Sequence, residues 1–293
     1  MIFNPTARGD KARHFRGRLK EIGLESELRA TAAPGEASRL TADAIKDGFE
    51  MIVAAGGDGT LNEVLCGFVA AGEISERVRL GVLPLGTVNV FARELGIPAD
   101  IMVAWKILHA GRERVIDLPC AEFTSQGQSR SRPFGQLGGA GLDALAIERV
   151  NWEWKKRTGS VAYALAGVKV MFSKRFGTIR VETEAGSASG QFVAIGNGRL
   201  YGPGFEFFPG ASLCDGLIHA AILPRVGWLS LAWCGLNLLT RRRLPSHSVI
   251  HLRGPEIRLS SPARIPFELD GDLVGELPVT FRVSRQKLRV AVP

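Results

Sequence analysis

At 293 residues the chain is long enough for one large domain or two ordinary ones, each with its own core. Its 45% hydrophobic and 23% charged content is that of an ordinary globular protein, and a net charge of +8 calls for an acidic partner such as nucleotide, anionic lipid or nucleic acid. Nucleic acid is set aside, because aromatic residues are only 8% and no DNA- or RNA-reading motif is present.

Cys66, Cys120, Cys214 and Cys234 are scattered, with no Cys-x-x-Cys and no histidine at ligand spacing. That argues against a zinc site or disulfide framework and fits a reducing cytosol. The first apolar run ends at Phe3, so no signal peptide is expected. No apolar segment reaches the ~18–20 residues of a spanning helix, which leaves a soluble or membrane-peripheral protein.

In chain order, Met1-Ile2-Phe3 reads as a strand end, followed by Asn4-Pro5-Thr6-Ala7-Arg8-Gly9. Residues 11–22 form a basic amphipathic helix, 25–31 a short strand and 38–47 a second helix. Met51-Ile52-Val53-Ala54-Ala55 is a short apolar run, the signature of a buried parallel strand. Gly56-Gly57-Asp58-Gly59-Thr60 follows at once, and then Leu61, Val64, Leu65 and Phe68 recur at helical spacing. A strand, a glycine turn and a helix N-terminus in succession suit phosphate: the backbone can approach closely, and N–H groups and the helix dipole point at the anion. No Gly-x-x-x-x-Gly-Lys-Ser/Thr occurs, and Asn62 stands where a dinucleotide fingerprint wants a small residue. A carboxylate among phosphates would repel them, so Asp58 implies Mg²⁺ or a proton-transfer role. The competing reading is an aspartate that caps the following helix.

Residues 78–83 form another apolar strand, Pro84-Leu85-Gly86-Thr87 turns, and helices are expected over 89–95 and 99–110. Alternating strands and helices predict a doubly wound parallel sheet with its ligand beyond the strand ends, so Gly57 and Thr87 should face one crevice. From about Pro119 the texture changes to short strands, expected over 178–184, 192–195, 217–223, 249–253, 257–260 and 265–269. The polar tract 124–132 reads as an exposed hairpin loop, and Gly139-Ala140-Gly141-Leu142-Asp143-Ala144 as a tight turn into a helix over 144–150. No Gly-x-Ser-x-Gly elbow supports hydrolase chemistry. Trp152-Glu153-Trp154-Lys155-Lys156-Arg157 precedes an apolar helix over 161–172 that ends in Lys174-Arg175. Residues 226–240, with Trp228 and Trp233, are closed by Arg241-Arg242-Arg243. Aromatics beside basic clusters suit an interfacial helix on anionic lipid, or equally a buried helix whose basic end complements its dipole. Asp215-Gly216 and Asp270-Gly271-Asp272 read, by themselves, as hairpin turns.

Gly56-Gly57-Asp58-Gly59-Thr60-Leu61-Asn62, together with Leu83-Pro84-Leu85-Gly86-Thr87-Val88-Asn89 and Phe91-Ala92-Arg93, resembles the diacylglycerol kinase catalytic family, which takes in bacterial lipid kinases and sphingosine and ceramide kinases. The wider superfamily of 6-phosphofructokinases and NAD kinases shares only the Gly-Gly-Asp-Gly core. The resemblance implies an α/β, doubly wound, NAD kinase/phosphofructokinase-like domain over 1–118, to which strand 281–293 returns, and a β-rich antiparallel sandwich over 119–280 that takes the lipid. It implies ATP at Asn4, Pro5, Thr6, Thr31, Gly56, Gly57, Asp58, Gly59, Thr60, Leu61, Asn62, Gly86 and Thr87. It places a structural Mg²⁺ at Asp215, with the Ser212 and Leu217 carbonyls as neighbours. Asp272 stands where the family has a glutamate proposed as general base, and Asp58 is the second candidate catalytic carboxylate. Gly139–Ala144 is similar to the family's Gly-Phe-Asp-Ala turn. The chain departs at Arg8, which takes an expected glycine position, at Val90, where an aspartate is common, and at the shorter Asp272.

The implied activity is ATP-dependent phosphorylation of a lipid hydroxyl, on diacylglycerol (to phosphatidic acid) or a sphingoid-type acceptor. The protein would be cytoplasmic and peripheral on the inner face of the membrane, with a homodimer left open. Two other readings stand beside it: a kinase for a soluble hydroxylated molecule, and a non-catalytic nucleotide-binding regulator.

Overall fold

The apolar runs of the N-terminal third pair as parallel strands. The computed structural model describes residues 1–5, 10–23, 25–142, 144–145, 177–245 and 247–293. Thr6, Arg8, Asp143, most of the helix expected over 144–150 and the aromatic-basic segment with its helix over 161–172 lie outside them. The chain divides into two units, Met1–Leu118 with Ser284–Pro293, and Pro119–Val283.

In the first unit β1 (Ile2–Phe3), β2 (Arg29–Ala30), β3 (Met51–Gly56) and β4 (Arg79–Pro84) lie in the order β2-β1-β3-β4, all parallel. Ala54 and Ala55 of β3 face Ile2 and Phe3, while its other edge pairs from Met51↔Arg79 to Gly56↔Pro84. Five of its six residues are buried, which is why it reads as an unbroken apolar run. The helices are α1 (Asp10–Gly23), α2 (Glu36–Lys46), α3 (Asp58–Ala71), α4 (Val90–Glu94) and α5 (Ile101–His109). Helix α3 buries Leu61, Val64, Leu65 and Phe68 along one stripe, and α5 buries Ile101, Ala104, Trp105 and Leu108. Asp100 caps α5, its Oδ1 accepting from the N–H groups of Met102 and Val103, both at 2.9 Å. The C-terminal residues complete the sheet, with Arg289 and Val290 parallel to Arg79 and Leu80 of β4. Lys287 pairs with the buried Asp117 carboxylate, and Arg289 grips Glu113 through both oxygens at 2.8 and 2.9 Å.

The second unit is antiparallel. Its strands are β5 (Glu113–Ser125), β6 (Gln128–Pro133), β7 (Leu137–Gly141), β8 (Ile179–Thr183), β9 (Gly186–Gly190), β10 (Phe192–Gly196), β11 (Leu200–Tyr201), β12 (Phe205–Glu206) and β13 (Ile218–Leu223). Helix α6 (Trp228–Arg241) follows, then β14 (Ile250–Gly254), β15 (Glu256–Ser260), β16 (Pro266–Leu269), β17 (Asp272–Glu276) and β18 (Val279–Ala291). One sheet runs β14-β13-β10-β7-β16-β17, and β8, β9, β15 and the first half of β18 form another. Their inner faces share one core. Val193, Ile195, Ile218, Ile222 and Phe267 enter it from the first sheet, and Ile179, Val181, Ile257, Leu259 and Phe281 from the second. Phe267 stands edge-on to Phe123 at 5.1 Å and to Phe281 at 6.4 Å, and Phe134 edge-on to Phe281 at 5.7 Å.

Two sequence expectations are corrected here. The tract 124–132 is a strand pair and not a loop: β5 and β6 are joined by a two-residue turn at Gln126 and Gly127, with φ of 52° and 75°. Its polar sequence reflects strands wetted on both faces. Gly139-Ala140-Gly141 is no turn either but the buried strand β7, between β10 and β16. Its glycines serve close approach. A Cβ on Gly138 would lie 2.9 Å from the Phe281 ring, and one on Gly141 would collide with the Gln191 carbonyl oxygen. The Gly/Ser-rich strand β9 escapes sequence reading altogether.

Phe267 is fully buried at the centre of the aromatic cluster. Phe267→Ala is expected to destabilise the second unit by about 3–5 kcal/mol, read as a lowered unfolding midpoint in urea. A loss under about 1 kcal/mol would show that this cluster does not hold the sandwich together.

Candidate functional site

Four turns gather at one edge of the parallel sheet. Asn4 follows β1, Thr31 follows β2, Gly57 follows β3 and residues 85–87 follow β4. Because the strands are adjacent and parallel, all four turns lie at carboxyl ends, where open α/β sheets bind ligands. Backbone bonds prolong the sheet into the turns: Thr31 N–H donates to Phe3 O, and Leu85 N–H to Gly56 O, both at 2.9 Å.

The two inner turns touch. A Cβ on Gly86 would stand 2.6 Å from the Gly57 Cα and 2.6 Å from Asn89 Oδ1. Asn89 is buried with φ 53°, in the left-handed region that asparagine tolerates. Its Oδ1 accepts from Gly86 N–H at 2.9 Å and its Nδ2 donates to Gly86 O at 2.7 Å. The side chain thereby satisfies both polar groups of one turn residue and fixes the turn's shape. The sequence reading used Asn89 only as part of a motif. The signal for its role was an asparagine three residues beyond a turn glycine, just ahead of a helix.

Gly57 is the N-cap of α3, and Asp58 takes the first helical position. Asp58 therefore complements the helix dipole and is not the cap. The first bond of the helix ladder runs from Leu61 N–H to Gly57 O at 3.0 Å, so the N–H groups of Gly59 and Thr60 precede it. Gly59 is exposed, and a Cβ there would meet nothing within 4 Å. Thr87 is exposed as well, and Gly57, Asp58, Thr60 and Gly86 are half-buried. This is an edge with donors in front and room before them, which fits a phosphate group. Leu61 and Asn62 point inward, Asn62 with no accessible surface, so their side chains shape the helix from within. Pro5, like Asn4, lies in the turn after β1, and Thr6 is outside the described residues.

In the second unit, residues 212–217 wrap around Asp215. Its Oδ2 accepts from Ser212 N–H at 3.0 Å and lies 2.9 Å from His219 Nε2, and its Oδ1 accepts from Leu217 N–H at 2.9 Å. The Ser212 carbonyl accepts from Asp215 N–H at 3.2 Å. A carboxylate offers about four lone-pair sites, so this turn leaves room for one metal bond. That fits an Mg²⁺ which keeps most of its waters. Among the described residues no three His, Cys, Asp or Glu side chains group as a metal cage. His219 also lines a cavity of about 290 Å³ with Phe208, Pro209, His251, Leu252 and Arg253. Burial, and then the neighbouring His219, hold His251 below the usual imidazole range.

Asp270 and Gly271 form a two-residue hairpin turn with φ of 48° and 87° between β16 and β17. The Asp270 carboxylate accepts from three successive backbone N–H groups, of Gly135 at 2.7 Å, Gln136 at 3.1 Å and Leu137 at 3.0 Å. Glu268, buried, accepts from Gly271 N–H at 2.7 Å. Both carboxylates thus bond backbone N–H groups. Asp272 opens β17, exposed, with its Oδ2 3.3 Å from Arg132 Nη2. The anchoring role of Asp270 went unread in the sequence, because its partners lie more than 130 residues away.

With this geometry in hand, residues 1–121 match the diacylglycerol kinase catalytic domain, and residues 138–292 match the YegS C-terminal NAD kinase beta sandwich-like domain. Over its whole length the chain is 28% identical to a diacylglycerol kinase of Staphylococcus carnosus (strain TM300), of which it covers 94%. It is 29% identical to a diacylglycerol kinase of Bacillus subtilis (strain 168), of which it covers 95%. Two crystal structures from Bacillus anthracis (strain Sterne) align over the full chain. One has a TM-score of 0.78 at 21% identity over 96% of that chain. The other, of a diacylglycerol kinase, has a TM-score of 0.70 at 19% identity over 95% of that chain. They show the fold: the expected α/β domain followed by an antiparallel β sandwich.

Gly59→Ala separates folding from binding at the glycine edge. With open space at its Cβ and a better helix former in the first turn, the variant should unfold no earlier than the parent. A phosphate seated there would be displaced, with at least a tenfold loss of ATP affinity in calorimetric titration, about 1.4 kcal/mol. Unchanged affinity would remove Gly59 from the site.

Proposed function

The chain belongs to the diacylglycerol kinase family and is a lipid kinase; from that premise we propose that it transfers the γ-phosphoryl group of ATP to the hydroxyl of diacylglycerol. Membership of a kinase family sets aside the non-catalytic regulator. The observation that carries the nucleotide assignment is the edge where the turns after β1–β4 assemble and the Gly57 and Gly86 turns touch.

Phosphoryl transfer needs little covalent chemistry from the protein; it needs positioning and charge neutralisation. The N–H groups of Gly59 and Thr60, backed by the α3 dipole, would donate to phosphate oxygens, with Asn4, Pro5, Thr6, Thr31, Gly56, Gly86 and Thr87 shaping the rest of the nucleotide surface. Asp58 would hold an Mg²⁺, whose charge would offset the repulsion between its carboxylate and a phosphate. Asp215, with Ser212 and Leu217, is the second place assigned to Mg²⁺. Asp272 would take the proton from the lipid hydroxyl, a role in which the Arg132 contact holds its carboxylate in place. Diacylglycerol is preferred over a sphingoid acceptor because the full-length relatives carry that name.

Transfer of labelled phosphate from ATP to a panel of diacylglycerol, sphingoid, ceramide and prenol acceptors in mixed micelles tests the substrate. Diacylglycerol should be the best acceptor; turnover confined to another lipid, or to a soluble alcohol, would replace this assignment. Asp272→Asn should lower kcat by ~10²–10⁴-fold at little-changed ATP affinity, and Asp272→Glu should retain activity. A loss of tenfold or less would return Asp272 to a purely structural place in the hairpin. For the Asp215 site, Mg²⁺ should raise the unfolding temperature of the parent and leave that of Asp215→Ala unmoved. An equal rise in both would put the ion elsewhere.

A further inference from the structure

Helix α6 carries its large apolar side chains on the outside. Its buried residues are Cys234 and Asn237, and Asn237 Nδ2 donates back to Trp233 O at 2.8 Å. Trp228, Leu229, Trp233, Leu236 and Leu239 are exposed by 51%, 88%, 52%, 52% and 80%. At about 100° per residue these five fall within an arc of roughly 140°, one continuous stripe along the helix. Scattered exposed apolar residues need no explanation, but a stripe with two tryptophans does. Among the described residues no helix is long and apolar enough to cross a membrane.

The charge around the stripe indicates what covers it. Between Asp215 and Glu256 the sequence contains no carboxylate side chain and five arginines, Arg225, Arg241, Arg242, Arg243 and Arg253. Arg225 lies just before the helix, and Arg241, Arg242 and Arg243 close it, all four exposed. Arg242 ends the helix with φ 54°, its carbonyl accepting from Glu206 N–H at 2.6 Å, so the arginine run leaves the helix along a fixed backbone. Apolar side chains between cations at both ends match an anionic bilayer, with acyl chains below and phosphates at the rim. A second copy fits poorly, since a two-fold contact through this face would bring arginines to arginines.

We propose that helix α6 is a docking element that lies in the plane of an anionic phospholipid surface, Trp228, Leu229, Trp233, Leu236 and Leu239 entering the headgroup–acyl boundary and Arg225, Arg241, Arg242 and Arg243 meeting lipid phosphates. The choice of a bilayer over a protein partner rests on the lipid-kinase reading, since such an enzyme must reach an acceptor held in a membrane. The docking itself needs no nucleotide and no turnover.

The test is co-sedimentation of the full chain, without nucleotide, on phosphatidylcholine vesicles with and without phosphatidylglycerol. Binding should require phosphatidylglycerol and weaken with salt. Changing Arg241, Arg242 and Arg243 together to Gln should reduce affinity about 10²-fold, roughly fivefold per cation. Trp228→Ser with Trp233→Ser should cost at least tenfold and leave the unfolding temperature in place, as both rings are half exposed. Phosphorylation of a short-chain, water-soluble diacylglycerol reads the chemistry apart from the membrane and should survive both sets of changes. Wild-type binding to vesicles with no lipid phosphorylated would refute the kinase assignment and still support docking. Vesicle binding that ignores both variants would overturn the proposal. So would a dimer seen by sedimentation velocity that the tryptophan variant dissociates, which would assign the stripe to a second copy.

Discussion

Gly57 and Gly86 meet backbone to backbone at the carboxyl ends of two neighbouring parallel strands, and the first unit is arranged around that contact. A Cβ on Gly86 would stand 2.6 Å from the Gly57 Cα, so the two turns close only while that residue has no side chain. Asn89 then holds the Gly86 turn by bonding both its N–H and its carbonyl, at the cost of a left-handed backbone. With the turns fixed, α3 starts immediately after β3 and points its N-terminus along the sheet edge. The same contact explains why β3 and β4 keep register over six residues to their very ends. A slip of either strand would separate the glycines and misplace the helix.

The second unit solves a comparable problem by other means. Its hairpin at Asp270 is held by a carboxylate that accepts from three consecutive backbone N–H groups, with Glu268 bonded to the turn from inside. A carboxylate drawn out of water is costly unless hydrogen-bonded, and buried Glu268 and half-buried Asp270 both bond backbone N–H groups. They leave Asp272 as the accessible member of the group, at the start of a strand whose partner is defined by the turn. Position, and not abundance of acid groups, is what this hairpin contributes.

The kinase family label and the architecture agree with the charge balance of the chain. Positive charge suits a kinase, which handles phosphate, and between Asp215 and Glu256 the cations stand where carboxylates are absent. The stretch from Gly216 to Pro255 is one-signed over forty residues. Such a field attracts anionic surfaces at a distance, while the tryptophans act only on contact.

The sequence by itself determined the class of fold and the alternation of strands and helices in the first unit. Where the signal is local, it sufficed: an apolar run of strand length at 51–55, a glycine turn, a helical stripe at Leu61, Val64, Leu65 and Phe68, and alternating short strands after Pro119. The family resemblance rested on the same local stretches. Tertiary structure alone decided three things. It made Gly139-Ala140-Gly141 a buried strand, because the space beside β7 is set by Phe281 of β18 and by Gln191 between β9 and β10, and only small residues fit it. It gave Asn89 and Asp270 their roles, because their bonding depends on how each turn closes, and for Asp270 on residues 133–135 positions away in the chain. And it decided which way α6 faces. Periodicity marks a stripe on a helix but not whether core or solvent receives it, and here the packing of Cys234 and Asn237 turned the tryptophans outward.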